Sequence, residues 1–267
     1  MTFDLLQTPL LVPETSKQPF QEFNRDLTIG ANIGFNVVGF ASVYANTSIG
    51  TVNLVNIPFN ASTELSGLQS LGNPAPTITE LQVVSGTPAG LTLAITVVIV
   101  NPSSISLSAG DIVLDLMYKG VRQGTVTMPK LAIIPGANTV NASSTIDPGA
   151  SPEGLELLTL YTGGTGATVS IAGTPTSTVV DSLSLAFGAL NIESQMPGLQ
   201  SKLLAGASLI VLDTTLVNGL AETVVTVNNP FVPPMTILSI DSTITYGGAA
   251  LGTVVSTFSS PPVIPGI

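Results

Sequence analysis

Residues 110–120 read Gly110-Asp111-Ile112-Val113-Leu114-Asp115-Leu116-Met117-Tyr118-Lys119-Gly120, and their alternating pattern indicates the type of fold. Asp111, Val113 and Asp115 fall on one face of an extended chain. Ile112, Leu114 and Leu116 fall on the other face, which predicts a half-buried β-strand with the aliphatic side chains inward. Lys119-Gly120, followed by Gly124-Thr125-Val126, predicts a hairpin turn into the next strand.

This stretch is part of an internal repeat. Tyr118-Lys119-Gly120 returns as Tyr246-Gly247-Gly248, 128 positions later, and Gly124 returns as Gly252 at the same distance. The pair Asn101-Pro102 likewise recurs as Asn229-Pro230. Two further matches join Ile134-Pro135-Gly136 to Ile264-Pro265-Gly266, and Leu65-Ser66-Gly67-Leu68 to Met196-Pro197-Gly198-Leu199. Landmarks in one order at nearly constant spacing predict a unit of about 130 residues that occurs twice.

Each unit begins with a predicted short helix. Phe20, Phe23 and Leu27 have the spacing of an amphipathic helix face, and Ser151-Pro152 supplies an N-cap and a first helical residue. Strands are predicted in the first unit at 31–41, 50–57, 78–85, 91–100, 111–118, 123–128 and 137–146. We therefore predict a mostly β protein of two tandem seven-stranded antiparallel sandwiches, of fibronectin III or immunoglobulin type, each with one short helix. Their predicted bounds are 16–150 and 151–267, after an N-terminal extension over 1–15 that is a candidate donor strand.

Composition excludes several functions. Six basic residues against sixteen acidic ones give a net charge of −10, so neither nucleic acid nor an anionic bilayer surface is an expected partner. Cysteine and histidine are absent, which removes disulfides, thiol nucleophiles, the usual general base and most metal sites. The apolar run 91–100 is too short to span a bilayer, and residues 1–12 do not read as a signal peptide. Direct membrane insertion is not expected, and a targeting or anchor segment would lie outside this sequence.

The motifs resemble a known family of domains. Val100-Asn101-Pro102-Ser103, the stretch 110–120, Gly124-Thr125-Val126 and residues 134–139 are similar to late-embryogenesis-abundant type 2 (WHy) domains. Residues 34–59 and Gly86-Thr87-Pro88, with the stretch up to Leu91, are closer to a fungal family of uncharacterised tandem domains related to that group. The resemblance covers most of the first repeat and is looser in the second. It implies a fibronectin-like sandwich in a single-pass membrane protein whose repeats face the vacuole lumen or the cell exterior. It implies no catalytic residues.

No enzymatic, metal or cofactor site is predicted. Asp111 and Asp115 would lie roughly 13 Å apart on one strand face, which is wide even for an inverting glycosidase pair. Ser201 and Lys202 would point to opposite faces of a strand and make a poor dyad. Asp147, Glu153 and Glu156 are a weaker alternative for a junction metal site, since acids at a helix start are explained by the helix dipole.

Three glycosylation sequons begin at Asn46, Asn60 and Asn141. All three belong to the first repeat, and we expect them at strand ends or turns, where a glycan can project. In a protein that passes through a eukaryotic secretory route, at least one is expected to be occupied.

The two repeats differ at their ends. Residues 137–146 read as the last strand of the first unit, whereas only Ile267 follows Gly266 in the second. Residues 2–11 stand where a preceding unit would place that strand, with Phe3, Leu5 and Leu10 as its apolar side chains. Three arrangements follow: further repeats in a longer chain complete the unit, the N-terminal strand folds back, or it inserts into the next molecule head to tail.

The sequence thus predicts a non-catalytic structural or interaction module of an extracellular, cell-surface or vacuolar-lumenal protein. Its expected partner is another copy of itself, or adjacent repeats of a longer chain. The alternative is an apolar-ligand or lipid-binding module, since the mean hydropathy of +0.55 is high. A continuous apolar cavity would favour that alternative, and a filled core would argue against it.

Overall fold

The computed structural model describes residues 10–87, 90–210, 219 and 221–267. It contains three α-helices within these ranges: α1 (Lys17–Ile29), α2 (Pro152–Thr162) and α3 (Ser184–Gly188). Fifteen strands are β1 (Asn32–Thr47), β2 (Gly50–Ser66), β3 (Thr77–Thr87), β4 (Gly90–Asn101), β5 (Leu107–Tyr118), β6 (Val121–Ile133), β7 (Gly136–Ile146), β8 (Ala167–Ala172), β9 (Asn191–Met196), β10 (Leu204–Ile210), β11 (Glu222–Val227), β12 (Met235–Thr236), β13 (Ser239–Tyr246), β14 (Ala249–Thr257) and β15 (Val263–Ile264). The prediction of a mostly β protein is confirmed.

Seven strands form a closed barrel in the order β3-β4-β7-β6-β5-β8-β9. A parallel bridge between Thr77 of β3 and Gln195 of β9 closes it. The sequence predicted seven strands in two stacked sheets, and the observed sheet instead curls on itself because β9 reaches β3. The barrel also combines β3 to β7 with β8 and β9, which follow α2, so the predicted boundary between residues 150 and 151 falls inside it.

The barrel interior holds the apolar core. Ile112, Leu114 and Leu116 of β5 are buried while Val113 is half exposed, which confirms the predicted faces of the strand. Helix α2 covers one end with the buried side chains of Leu157 and Tyr161. The helix begins as predicted, since the Ser151 hydroxyl accepts a hydrogen bond of 3.0 Å from the Gly154 amide.

The local predictions of the first unit agree with the structure. Each of its seven predicted strands is present, although β1 and β2 are much longer than expected. The predicted hairpin after β5 turns at Lys119 and Gly120, which both have positive φ, at 48° and 79°. This is the geometry of a two-residue turn that matches the twist of its strands.

Two segments flank the barrel. The N-terminal segment, residues 17–66, consists of α1 and the hairpin of β1 and β2, and its strands pair with each other. The described residues of the C-terminal segment (204–267 without 211–218 and 220) form three separate two-stranded sheets: β10 with β11, β12 with β15 and β13 with β14. The N-terminal segment contacts the barrel through α1, where Gln21 and Asn24 donate hydrogen bonds of 2.9 Å to the carbonyls of Asp181 and Ser182.

None of the helices within the described ranges has the length and apolar character needed to cross a membrane.

Candidate assembly surface

The C-terminal segment repeats the register of the barrel. In the barrel, Leu116 faces Gly124 and Ile112 faces Met128 across β5 and β6. In the C-terminal segment, Ile244 faces Gly252 and Ile240 faces Ser256 across β13 and β14. Every one of these positions is shifted by 128, so β13 and β14 are the counterparts of β5 and β6.

The turn before β5 is also repeated in atomic detail. The buried Asn101 side chain donates to the Ile105 carbonyl at 2.8 Å and accepts from the Ser103 amide at 2.9 Å. Asn229 donates to the Pro233 carbonyl at 2.8 Å and accepts from the Phe231 amide at 3.0 Å. The same turn at the same shift of 128 supports the match between the strands of the C-terminal segment and β3 to β6.

A groove of about 540 Å³ lies between the hairpins of the C-terminal segment. Its lining includes Val225, Val227, Ile240, Ser242 and Ile244, with no charged side chain. Their counterparts at the shift of 128 are Val97, Ile99, Ile112, Leu114 and Leu116, which belong to the barrel core or pack against it. The groove is therefore lined by the counterparts of residues that form the interior of the barrel.

The strands that would complete this wall can be read from the barrel. There, β4 and β6 both pair with β7, and β5 also pairs with β8. Within the described ranges, β11 pairs with β10, and β13 and β14 pair with each other, so their outer edges have no strand partner. Free strand edges carry unpaired backbone groups and readily accept another strand.

The N-terminal segment repeats the part of the barrel that the C-terminal segment lacks. The Leu68 amide donates to the Leu27 carbonyl at 2.8 Å, and the Leu199 amide donates to the Tyr161 carbonyl at 2.8 Å. Likewise Ile33 pairs with Leu65 across β1 and β2, as Ala167 pairs with Met196 across β8 and β9. Helix α1 and strand β1 thus match α2 and β8 at a shift of 134, and β2 matches β9 at a shift of 131.

Two glycines show the same close approach in both copies. A Cβ atom at Gly67 would collide with the carbonyl of Gly30, and one at Gly198 would collide with Gly164. Gly67 and Gly198 differ by 131 positions, and Gly30 and Gly164 differ by 134. Both copies therefore require glycine where the strand returns past the end of the helix.

Exposed apolar side chains concentrate in the two flanking segments. Phe40, Tyr44 and Ile49 of the first hairpin are 74%, 73% and 93% exposed. In the C-terminal segment, Leu238, Val255 and Val263 are all more than 60% exposed. Apolar surface concentrated in this way marks interaction sites in soluble proteins.

The acidic residues considered for chemistry have structural partners. Asp115 forms an ion pair with Arg122 at 2.6 Å, and Asp111 accepts a hydrogen bond from the Lys130 amide at 2.8 Å. Asp147 accepts from the Gly149 amide at 3.1 Å. Glu156 bonds Lys119 at 2.6 and 2.7 Å, and this hydrogen bond lowers the pKa of the Glu156 carboxyl. The described residues contain no cluster of three or more acids that could hold a metal ion.

The three sequon asparagines are exposed. Asn46 lies one residue before the end of β1, as expected for a strand end. Asn60 instead lies inside β2, which extends beyond the predicted 50–57, and Asn141 lies inside β7, in the middle of the strand predicted at 137–146. Their side chains still face solvent.

The predicted donor strand lies largely outside the described residues. Phe3 and Leu5 fall within 1–9 and are not described. Leu10 is described and is 79% exposed. Sequence reasoning missed that β1 and β2 are also counterparts of barrel strands, although the match of Leu65-Ser66-Gly67-Leu68 to Met196-Pro197-Gly198-Leu199 carried that signal.

The described residues define a mostly β protein with one closed barrel between two segments that repeat parts of it. Residues 6–116 match a family profile described as "Protein of unknown function (DUF3712)". The match therefore includes α1, β1 and β2 and extends to β5 of the barrel. No curated protein and no solved structure matches the chain.

Proposed function

We propose that the chain is a non-catalytic structural module of an extracellular or lumenal surface protein and that it assembles head to tail by exchange of strands. The observation that carries the proposal is the groove of the C-terminal segment, whose lining repeats the barrel core while the flanking strand edges have no partner in the described residues. Such a groove is costly in water and is stabilised by strands from another copy.

The location rests on separate support. The resemblance to lumenal and surface-facing tandem domains and the three exposed sequon asparagines favour the secretory route. A chain in which only 8% of the residues are charged is typical of cell-surface and secreted repeats.

Electron microscopy of the full chain tests the assembly. A negatively stained sample at high protein concentration is expected to contain filaments, and removal of residues 1–12, the predicted donor strand, is expected to shorten or abolish them. Light scattering from the full chain should give an average molecular mass that rises with protein concentration. A full chain that stays monomeric at every concentration contradicts the proposal.

A second candidate function is the binding of an apolar ligand or a lipid. The groove of about 540 Å³ has the volume and lining of a ligand site, which favours this function. The closed barrel does not, since the space among its core side chains is only about 90 Å³. A ligand-binding groove would retain a fluorescent fatty acid in the monomeric state, whereas a groove filled by strands would lose the probe on assembly.

A further inference from the structure

We infer that the groove of the C-terminal segment is filled by the N-terminal segment of a second copy, with α1, β1 and β2 in the places that α2, β8 and β9 occupy in the barrel. The inference rests on the proposed head-to-tail assembly and specifies which residues form the joint. The joint then contains a helix and a hairpin, and not only a single donor strand. A separate strand would still be needed in the place of β7.

The barrel supplies the template for the joint. Strand β8 pairs with β5 through Asp115–Ala172, Leu116–Ile171 and Met117–Ser170. With the shift of 128 for β5 and 134 for β8, these pairs become Thr243–Val38, Ile244–Val37 and Thr245–Asn36 of two different copies. Val37 then faces the groove beside Ile244, and Val38 lies on the outer face beside Thr243.

The hairpin has the right side chains for this position. Its inner face would carry Ile33, Phe35 and Val37, in the places of Ala167, Val169 and Ile171. Ile33 and Phe35 are larger than Ala167 and Val169, whereas Val37 is one methylene smaller than Ile171. The larger residues would meet a groove that has Ser242 where the barrel has Leu114. A smaller residue on one wall opposite larger ones on the other keeps the volume of the core close to that of the barrel.

The helix fits the same register. Leu157 and Tyr161 of α2 cover the end of the barrel, and their counterparts in α1 are Phe23 and Leu27. The Phe23 ring already makes an edge contact with Phe35, at 6.2 Å between centroids, on the side of α1 that faces β1. The helix and hairpin therefore form one preassembled apolar face, and little conformational entropy is lost when it docks.

A second copy is favoured over the same copy by what the structure describes. The pairing partners of β1 and β2 are each other, and no strand pairing links them to β10, β11, β13 or β14 within the described ranges. Helix α1 instead donates hydrogen bonds to Asp181 and Ser182, which lie between β8 and β9 of the same chain. Because one end of the chain binds the other end of the next copy, the contact is heterologous and propagates as a chain.

Cysteine pairing tests the register directly, because the sequence contains no cysteine. Val38→Cys and Thr243→Cys are made in separate full-length chains, without glycosylation because Asn60 lies opposite Val38. Both positions are exposed in the monomer. The two proteins are mixed in denaturant, refolded together and oxidised. A disulfide-linked dimer is expected as the main product on a non-reducing gel.

A matched variant controls for chance collision. Val255→Cys replaces Thr243→Cys, since Val255 is 71% exposed and lies on β14, the strand that pairs with β13 on the side away from the expected position of β1. Its yield of dimer with Val38→Cys is expected to be at least ~10-fold lower, because a disulfide requires Cβ atoms within about 4.5 Å.

Each outcome discriminates. Filaments without the Val38–Thr243 disulfide overturn this inference and leave strand-exchange assembly intact. In the double variant Val38→Cys/Thr243→Cys, a ladder of covalent oligomers supports the inference, and a fast-migrating internally bridged monomer overturns it. Absence of both filaments and disulfide overturns the proposed function together with the inference.

Discussion

At the scale of the residue, the two copies of the asparagine turn show which features are intrinsic to the repeat. Asn101 is 2% exposed and Asn229 is 7% exposed, although the strands around Asn229 form no closed sheet in the described residues. Both side chains bond the carbonyl four residues further on and the amide two residues further on. Asn229 also donates to the Ile264 carbonyl at 3.3 Å, a contact that Asn101 does not share. The turn is therefore formed by local hydrogen bonds and does not depend on closure of the barrel.

Tyr161 makes stability depend on pH at the alkaline end. Burial of its ring at the end of the barrel raises the pKa of its hydroxyl above the ordinary 10.0. The unfolded chain ionises first, so stability is complete below about pH 10 and falls as pH rises above it. Urea unfolding between about pH 8 and about pH 10.5 should show this fall. Tyr161→Phe should reduce it.

Tyr246→Phe is the matched control, because the Tyr246 side chain is 78% exposed. If the free energy of unfolding of Tyr161→Phe falls with pH as steeply as that of the unmodified protein, another group is responsible.

At the scale of the element, the sequence predicted the strands of the first unit well and their closure not at all. Alternation and turn residues are local, so β3 to β7 and the turn at Lys119-Gly120 could be found from the chain alone. Closure depends on β9 meeting β3 at Thr77 and Gln195, residues 118 positions apart, and no local pattern encodes such a pairing. The length of β1 and β2 was also missed, since strands were predicted at 31–41 and 50–57 and the observed ones continue to Thr47 and Ser66.

The groove formed by β13 and β14 is expected to be the element most sensitive to charge. Ile244→Lys places an ammonium where Val37 of a second copy would pack, and an unpaired buried charge costs about 3 kcal/mol or more. The dissociation constant for assembly should therefore rise at least ~100-fold, measured by sedimentation velocity. Unfolding of the barrel should not change, since Ile244 lies outside it.

Thr253→Lys adds the same charge on the neighbouring strand at an exposed position and should leave assembly intact. Equal losses in the two variants would mean that net charge, and not the groove, controls association.

At the scale of the whole molecule, the described residues contain one closed barrel and two segments that repeat different parts of it. The barrel contains five strands before α2 and two after it. The C-terminal segment repeats four of the strands before the helix, β3 to β6, and the N-terminal segment repeats the helix and the two strands after it. The two segments therefore repeat different parts of one barrel, and the proposed joint depends on this difference.

The proposed joint predicts the mass of each bead along the filament. Along the filament, composite barrels at the joints would alternate with the intact barrels of the chains. Each barrel would be linked to the next by a connection equivalent to the one between β9 and β10. All beads should therefore be alike, and each chain should contribute two beads. Scanning transmission electron microscopy should give half of the 27.1 kDa chain mass for every bead. Beads of one full chain mass each would mean that the joint forms no second barrel. Assembly through the single strand at 1–15 alone would give alternating large and small beads, because α1, β1 and β2 would stay outside the joint.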